Sequence, residues 1–405
     1  MNVLMLSPGY PPEMPRFALG LRAVGARVIG IGDQPASALP DEARRALSEY
    51  RQVGGFADED GVLREAVALG AREHIERVAC LWEPLMVLAA RIREQLGVPG
   101  MTVEETVPFR DKEIMKQVLD RAGIRTPRHG RAHTVDQVRE AVERIGYPVI
   151  VKPIAGAGSK DTHRVDDDGG LESVLSLVRH VQEVSVEEFV EAEEFTFDTV
   201  CAEGRIAYYN ICSYRPRPLV ARQLEWISPQ TVALRNPDVP YLAAGRALGE
   251  AVLEAMNFRT GFTHMEWYLK GDGEVVFGEI AARPPGAFTV DIMNFASDID
   301  LFRGWAEAEV HGRFTQPIDR RYNCASIFKR AQGQGRIQRI EGLGELMADF
   351  APHVMNVDLL PIGAQRRDWL KTLISDGMVV VRHPDLQATF HMADRFGTDL
   401  RLIAG

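Results

Sequence analysis

Alternating strands and helices over the first hundred residues, an apolar strand at 147–153 and a β-hairpin at 261–280 predict a multi-domain protein of mixed α/β and α+β class. A chain of 405 residues accommodates two or three domains with a cleft between them. Its 45% hydrophobic and 26% charged residues are ordinary for a globular protein, and the net charge of −10 argues against a nucleic-acid partner. No apolar run approaches the ~18 residues of a membrane span, and MNVLMLSPGYPP lacks a signal-peptide core. Cys80, Cys201, Cys212 and Cys324 have neither CxxC spacing nor a neighbouring histidine pattern, so buried free thiols and a cytoplasmic location are expected.

The N-terminal region reads as strand Asn2–Leu6, a Pro-rich loop, helix Phe17–Val24 ending at Gly25, and strand Arg27–Gly32. Helical periodicity returns at Val62–Leu69 and Leu85–Leu96, on either side of the strand-like Val78–Leu81. This order predicts a small parallel sheet, and SPGYPP is not a dinucleotide-binding fingerprint.

In DKEIMKQVLDRAG the residues Ile114, Met115, Val118, Leu119 and Ala122 predict one apolar helix face, with Gly123 as the C-cap. Thr134 and Gln137 open a second helix that runs to Gly146. The strand Tyr147–Pro153 carries one charge, Lys152, which needs an anionic partner so close to an apolar core. The loop that follows, AGAGSKDT, offers Gly156, Gly158 and the backbone around Ser159 as a phosphate cradle, or else a plain turn. Val184–Val190 and Phe195–Val200 read as strands joined through the acidic run Glu187, Glu188, Glu191, Glu193 and Glu194, for which a solvated linker is the alternative.

The hairpin is the most informative segment. GFTHMEWYL and EVVFGEI flank Asp272-Gly273, a two-residue turn signal that sets Glu266 directly opposite Glu279. Two carboxylates with Cβ atoms about 5 Å apart repel, and a shared cation such as Mg²⁺ relieves them. An odd loop or a bulge would separate them, and a solvated edge with unrelated acids is the bland alternative.

Lys112 on a helix, Lys152 on a strand, a Gly-rich tip, an acidic hinge and a paired-Glu hairpin resemble, in order and spacing, the ATP-grasp superfamily over about residues 100–290. GIRTP, VIVKP, EEFVEAEEFTFD and EIAARPPG are most similar to its biotin-carboxylase-like carboxylate–amine ligases, the L-amino-acid (dipeptide) ligases included. The resemblance implies a Rossmann-like pre-ATP-grasp domain at 1–108, an ATP-grasp domain at 109–317 with a lid over about 123–186, and a C-terminal α+β domain at 318–405.

It also implies roles. Lys112 and Lys152 would contact nucleotide phosphates under a lid tip at Gly156, Gly158 and Ser159. Glu187, Glu188 and Val190 would form the adenine hinge, with the Val190 N–H as donor, and Glu194 would bind the ribose. Glu266 and Glu279 would ligate Mg²⁺, as one ion or two and replaceable by Mn²⁺, and Arg283 would hold the transferred phosphoryl group. The family's Glu-x-Asn-x-Arg is Glu279-Ile-Ala281-Ala-Arg283 here, so one expected ligand is missing. The implied reaction is ADP-forming C–N bond formation through an acyl phosphate, with small-molecule carboxylate and amine partners and room for a homodimer. A carboxylase acting on bicarbonate, a purine-pathway-type ligase and a non-catalytic nucleotide binder are the alternatives. Glu83, at a strand end, and His264, Arg215 and Arg217 are further candidates for contacts with substrate.

Overall fold

The computed structural model describes residues 1–154, 161–372 and 374–405; the expected cradle at Gly156, Gly158 and Ser159 lies outside them. Four parallel strands open the chain: β1 (Asn2–Leu6), β2 (Arg27–Gly32), β3 (Leu47–Gln52) and β4 (Arg77–Ala79), in the order β3-β2-β1-β4. The sequence does not announce β3, because LSEYRQ lies at the sheet edge and its side chains are only partly covered. The turn Glu83–Leu85 follows β4 at the carboxyl end of the sheet, where α/β folds present side chains to ligands.

A second, antiparallel sheet has the order β5-β8-β6-β7, from β5 (His129–Ala132), β6 (Val149–Pro153), β7 (His163–Val165) and β8 (Val184–Glu188). Helices Val135–Ile145 and Asp168–Val178 cover it and give it an apolar core of its own around Val138, Val142, Val149 and Val186.

The third sheet has nine strands. β9 (Glu193–Ala202), β10 (Arg205–Asn210), β11 (Cys212–Arg215), β12 (Gln230–Ala233), β13 (Gly261–Leu269), β14 (Val275–Ala281) and β15 (Asn323–Phe328) belong to it. After the short β16 (Gln332–Gly333) and β17 (Ile337–Glu341), β18 (Val354–Leu359) and β19 (Gly377–His383) complete it. Its order is β14-β13-β9-β11-β12-β15-β19-β18, with β10 beside β9, so it runs on past residue 317. β20 (Arg401–Ala404) joins β16 and β17 in a small sheet.

Two expectations need correction. The hairpin turn has three residues, Gly271, Asp272 and Gly273, because the Lys270 N–H donates to the Glu274 carbonyl and the Gly273 N–H to the Lys270 carbonyl. Gly273 takes φ +88°, which glycine adopts without strain. An odd turn alone would part the two glutamates. A bulge at Gly278 restores the register, however: Trp267 pairs with Phe277, yet Glu266 still pairs with Glu279. A Cβ at Gly278 would sit 2.7 Å from the Glu266 carbonyl oxygen, so only glycine fits.

The second correction concerns the helix Lys112–Arg121, capped by the Asp111 side chain. Its buried face carries Lys112, Glu113, Met115, Lys116 and Leu119, while Ala122 is exposed. Three charged residues therefore share the covered stripe, each with a partner on another element: Glu279 for Lys112, His129 for Glu113 and Glu187 for Lys116. Among the described residues no helix is long and apolar enough to cross a membrane. All four cysteines are buried free thiols.

Candidate active site

One face of the third sheet forms the site floor. Strand periodicity puts Glu194, Thr196 and Asp198 of β9 on the same face, opposite Tyr268, Glu266 and His264 of β13. Across the next ladder Glu266 meets Glu279, and His264 meets Ala281, the position where the expected ligand is missing. Tyr214 donates to Glu266 Oε1 at 3.2 Å. Lys112 Nζ lies 3.0 Å from Glu279 Oε1.

His264 is held from behind. Its Nδ1 is 2.6 Å from Asp198 Oδ1, and its Nε2 is 3.8 Å from Glu266 Oε1. Burial alone would lower its pKa, but the Asp198 charge and hydrogen bond outweigh burial and push it up to about 9. Asp198 and Glu266 thus both favour the imidazolium form. Asp198 is fully buried and also accepts from Thr196 Oγ1 at 2.5 Å.

The second sheet supplies the opposite wall. Glu187, at the end of β8, is buried between two lysines: Lys116 Nζ is 2.7 Å from Oε1 and Lys152 Nζ is 2.9 Å from Oε2. Ser185 donates to the same Oε1 at 2.9 Å. Burial would raise the Glu187 pKa, but the two ammonium groups hold it well below the usual carboxylate range. The lysines diverge. Burial and repulsion from Lys152 lower Lys116 despite Glu187, whereas Glu187, Glu279 and Glu266 together outweigh burial and raise Lys152. Lys152 therefore feels both ends of the site.

The hinge after β8 divides its acids. Glu188 binds Arg125 at 3.0 Å and the Arg128 N–H at 3.1 Å. Glu194 is buried and paired with Arg217 Nε at 3.1 Å; burial and the Glu266 charge push it up to about 7 against that pairing. Arg217 also donates to the Val190 carbonyl at 3.0 Å. Arg215 turns instead to Asp394 of the helix Leu386–Asp399, 3.1 Å away, with its guanidinium 4.1 Å from the Phe390 ring centroid.

Arg283, just beyond β14, donates to Glu83 Oε2 at 2.8 Å, and Arg110 donates to the other oxygen of the same carboxylate. Burial would raise the Glu83 pKa, but Arg283 and Arg110 hold it below its ordinary value. The first sheet thus reaches the site through one buried acid.

The structure brings together Lys112, Lys152, Glu187, Glu266, Glu279 and His264, with Glu83 and Arg283 linked at one side; Arg215 stands apart. Sequence reasoning missed Lys116, Asp198 and Arg110. Lys116 had a signal, since a lysine four residues after Lys112 and beside Met115 lies on a covered stripe. Asp198 had one too, as a charge inside the apolar strand FTFDTV. A groove of about 620 Å³ lined by Arg16, Asp291 and Phe302 shares none of these residues.

Residues 117–296 match the ATP-grasp domain model. They are an ATP-grasp domain. The fold agrees along the whole chain. An L-amino acid ligase from Bacillus licheniformis superposes with a TM-score of 0.80 at 20% identity, over 100% of this chain and 98% of that one. N5-carboxyaminoimidazole ribonucleotide synthetase from Thermotoga maritima superposes with 0.73 at 18% identity, over 100% and 99%. In sequence, the L-arginine-specific L-amino acid ligase of Bacillus subtilis is 26% identical over 258 residues, covering 60% of this chain and 61% of its own length. The chain thus spans less than two thirds of that relative.

The ATP-grasp floor also passes a donor test for Mg²⁺. Glu266 and Glu279 oppose each other and stay about 30% and 27% exposed. Among the described residues no group of three or more His, Cys, Asp or Glu is placed to hold a metal. Two carboxylates suit an ion that takes its other oxygens from phosphates and water.

Proposed function

We propose that the chain is an ADP-forming carboxylate–amine ligase that activates a small carboxylic or amino acid with ATP. One observation carries this reading: Glu266 and Glu279 face each other across β13 and β14, with Lys112 on one and Lys152 under the influence of both. That is the arrangement needed to hold a polyphosphate and neutralise it. The ligase relatives support it.

In the proposed reaction an oxygen of the acid attacks the γ-phosphorus while the bond to the β–γ bridging oxygen breaks, leaving ADP and an acyl phosphate. The amine then attacks the acyl carbon, phosphate departs with the bonding pair, and the nitrogen loses its proton. Lys112 and Lys152 hold the phosphates, and Arg283, steadied by Glu83, meets the moving phosphoryl group and the acid. Mg²⁺, when bound to Glu266 and Glu279, supplies further charge neutralisation; Ala281 adds no donor. The hinge backbone at Glu187, Glu188 and Val190 serves the adenine and Glu194 the ribose. The lid at about 123–186 excludes water that would hydrolyse the intermediate. The proposed domains are 1–108, 109–317 and 318–405, the last two sharing the third sheet.

The test is an ADP-release screen with MgATP over amino acids and small carboxylates, singly and in pairs, with hydroxylamine present. An acid-dependent hydroxamate is the expected result, and AMP with pyrophosphate would overturn it. Bicarbonate-dependent turnover without an amine would instead indicate a carboxylase.

A further inference from the structure

We propose that Arg217 is the positioning residue that sets Glu194 to read the sugar hydroxyls of the bound nucleotide. The inference rests on the nucleotide reading above and adds a residue to it. Arg217 joins three separate elements. It donates to Glu194 Oε2 at 3.1 Å on β9 and to the Val190 carbonyl at 3.0 Å in the hinge. Its guanidinium also lies 5.2 Å from the Phe189 ring centroid and 5.1 Å from that of Tyr268 on β13. Only 17% of the side chain is exposed.

Such a clamp has a clear electrostatic purpose. Glu194 is buried on the same sheet face as Glu266, across from Tyr268, so burial and a like charge both favour its protonated form and Arg217 opposes them. A protonated carboxyl is a weaker acceptor for sugar hydroxyls than a carboxylate. Arg217 favours the carboxylate against burial and occupies Oε2, which fixes the carboxylate plane and the direction of Oε1. The planar fork does this in two directions at once, to Oε2 and to the hinge carbonyl, while its faces lie against aromatic rings; a lysine ammonium has no such geometry.

The experiment is calorimetric binding of MgADP, Mg-2′-deoxyADP and Mg-3′-deoxyADP to the full chain and to Arg217→Met, Arg217→Lys and Glu194→Gln. The unaltered chain should prefer ADP over at least one deoxy analogue by about tenfold, the size of a hydrogen bond to a charged group. Arg217→Met should weaken ADP about tenfold, leave the deoxy analogue nearly unchanged, and so erase the preference. Arg217→Lys should fall between, and Glu194→Gln should erase the preference by itself. An intact preference in Arg217→Met, or tighter ADP binding, would overturn the proposal; the latter would mean Arg217 occupies nucleotide space. Should Arg217→Met fail to fold, an intact preference in Glu194→Gln overturns it equally. Absence of any MgADP binding by the unaltered chain would bring down the nucleotide reading itself.

Discussion

Two carboxylate arrangements in the cleft sit within reach of the same lysine and differ in every other respect. Glu187 is buried, with a lysine on each oxygen and a serine hydroxyl besides. Glu266 and Glu279 are partly exposed, like-charged neighbours, with Lys112 on one and Tyr214 and His264 beside the other. A buried charge saturated by resident partners is a structural element, and losing one partner exposes the full cost of burial. A pair left open to solvent with unspent oxygen lone pairs is disposed to accept something from outside. Exposure together with incomplete pairing separates the two roles better than residue type.

Lys116→Met should break the first arrangement with the largest effect, about 3–5 kcal/mol of stability, because Glu187 loses a buried counter-charge. Urea unfolding measures it, and a loss under about 1 kcal/mol would mean that Lys152 alone suffices. Glu279→Gln should do the reverse. We expect ATP turnover to fall by about 10²–10³-fold, comparable to losing a transition-state charge contact. Stability should move by less than about 1 kcal/mol, since the lost Lys112 pair is offset by relief of repulsion. Equal losses in rate and stability would erase the distinction.

Lys152→Ala tests the shared lysine. MgATP at a hundred times its Kd stabilises a native state by about 2.7 kcal/mol, and this gain should vanish in the variant when thermal melts are compared with and without nucleotide. A further test concerns pH. Folded Glu194 keeps its proton up to about 7, whereas the unfolded chain releases it near the ordinary value of 4.5. The native state therefore binds more protons between those values, and stability falls as pH rises from 4.5 to 7, by at most about 1.4 kcal/mol per unit. Urea midpoints of the nucleotide-free protein across that window should slope downward, and Glu194→Gln should remove this part of the slope.

Sequence made the hairpin legible because side chains on a strand alternate and two glutamates at matching distance declare a shared face. It did not reveal the turn, since Asp-Gly is a signal common to two- and three-residue loops. The carboxylate partner of Lys152 could be anticipated from a lone charge in an apolar strand, and Lys112 was named only through the family resemblance, whereas Lys116 was hidden by assigning the apolar face to Ile114 and Val118. Arg217 and Glu83 illustrate the deeper limit. Their partners lie 23 and 200 residues away, and which arginine meets which acid depends on packing between sheets, not on local spacing.

The glycine at 278 has a consequence for how this hairpin can change over time. Because side chains alternate, adding or deleting one loop residue would send Glu279 into the core beside Trp267 and leave Glu266 without its partner. The loop and the bulge therefore act as a parity check: single-residue length changes are tolerated only in matched pairs, one at 271–273 and one at 278. Changes of two residues in the loop pass freely. Homologous hairpins should accordingly differ in loop length by even steps, or show the odd step together with gain or loss of the glycine.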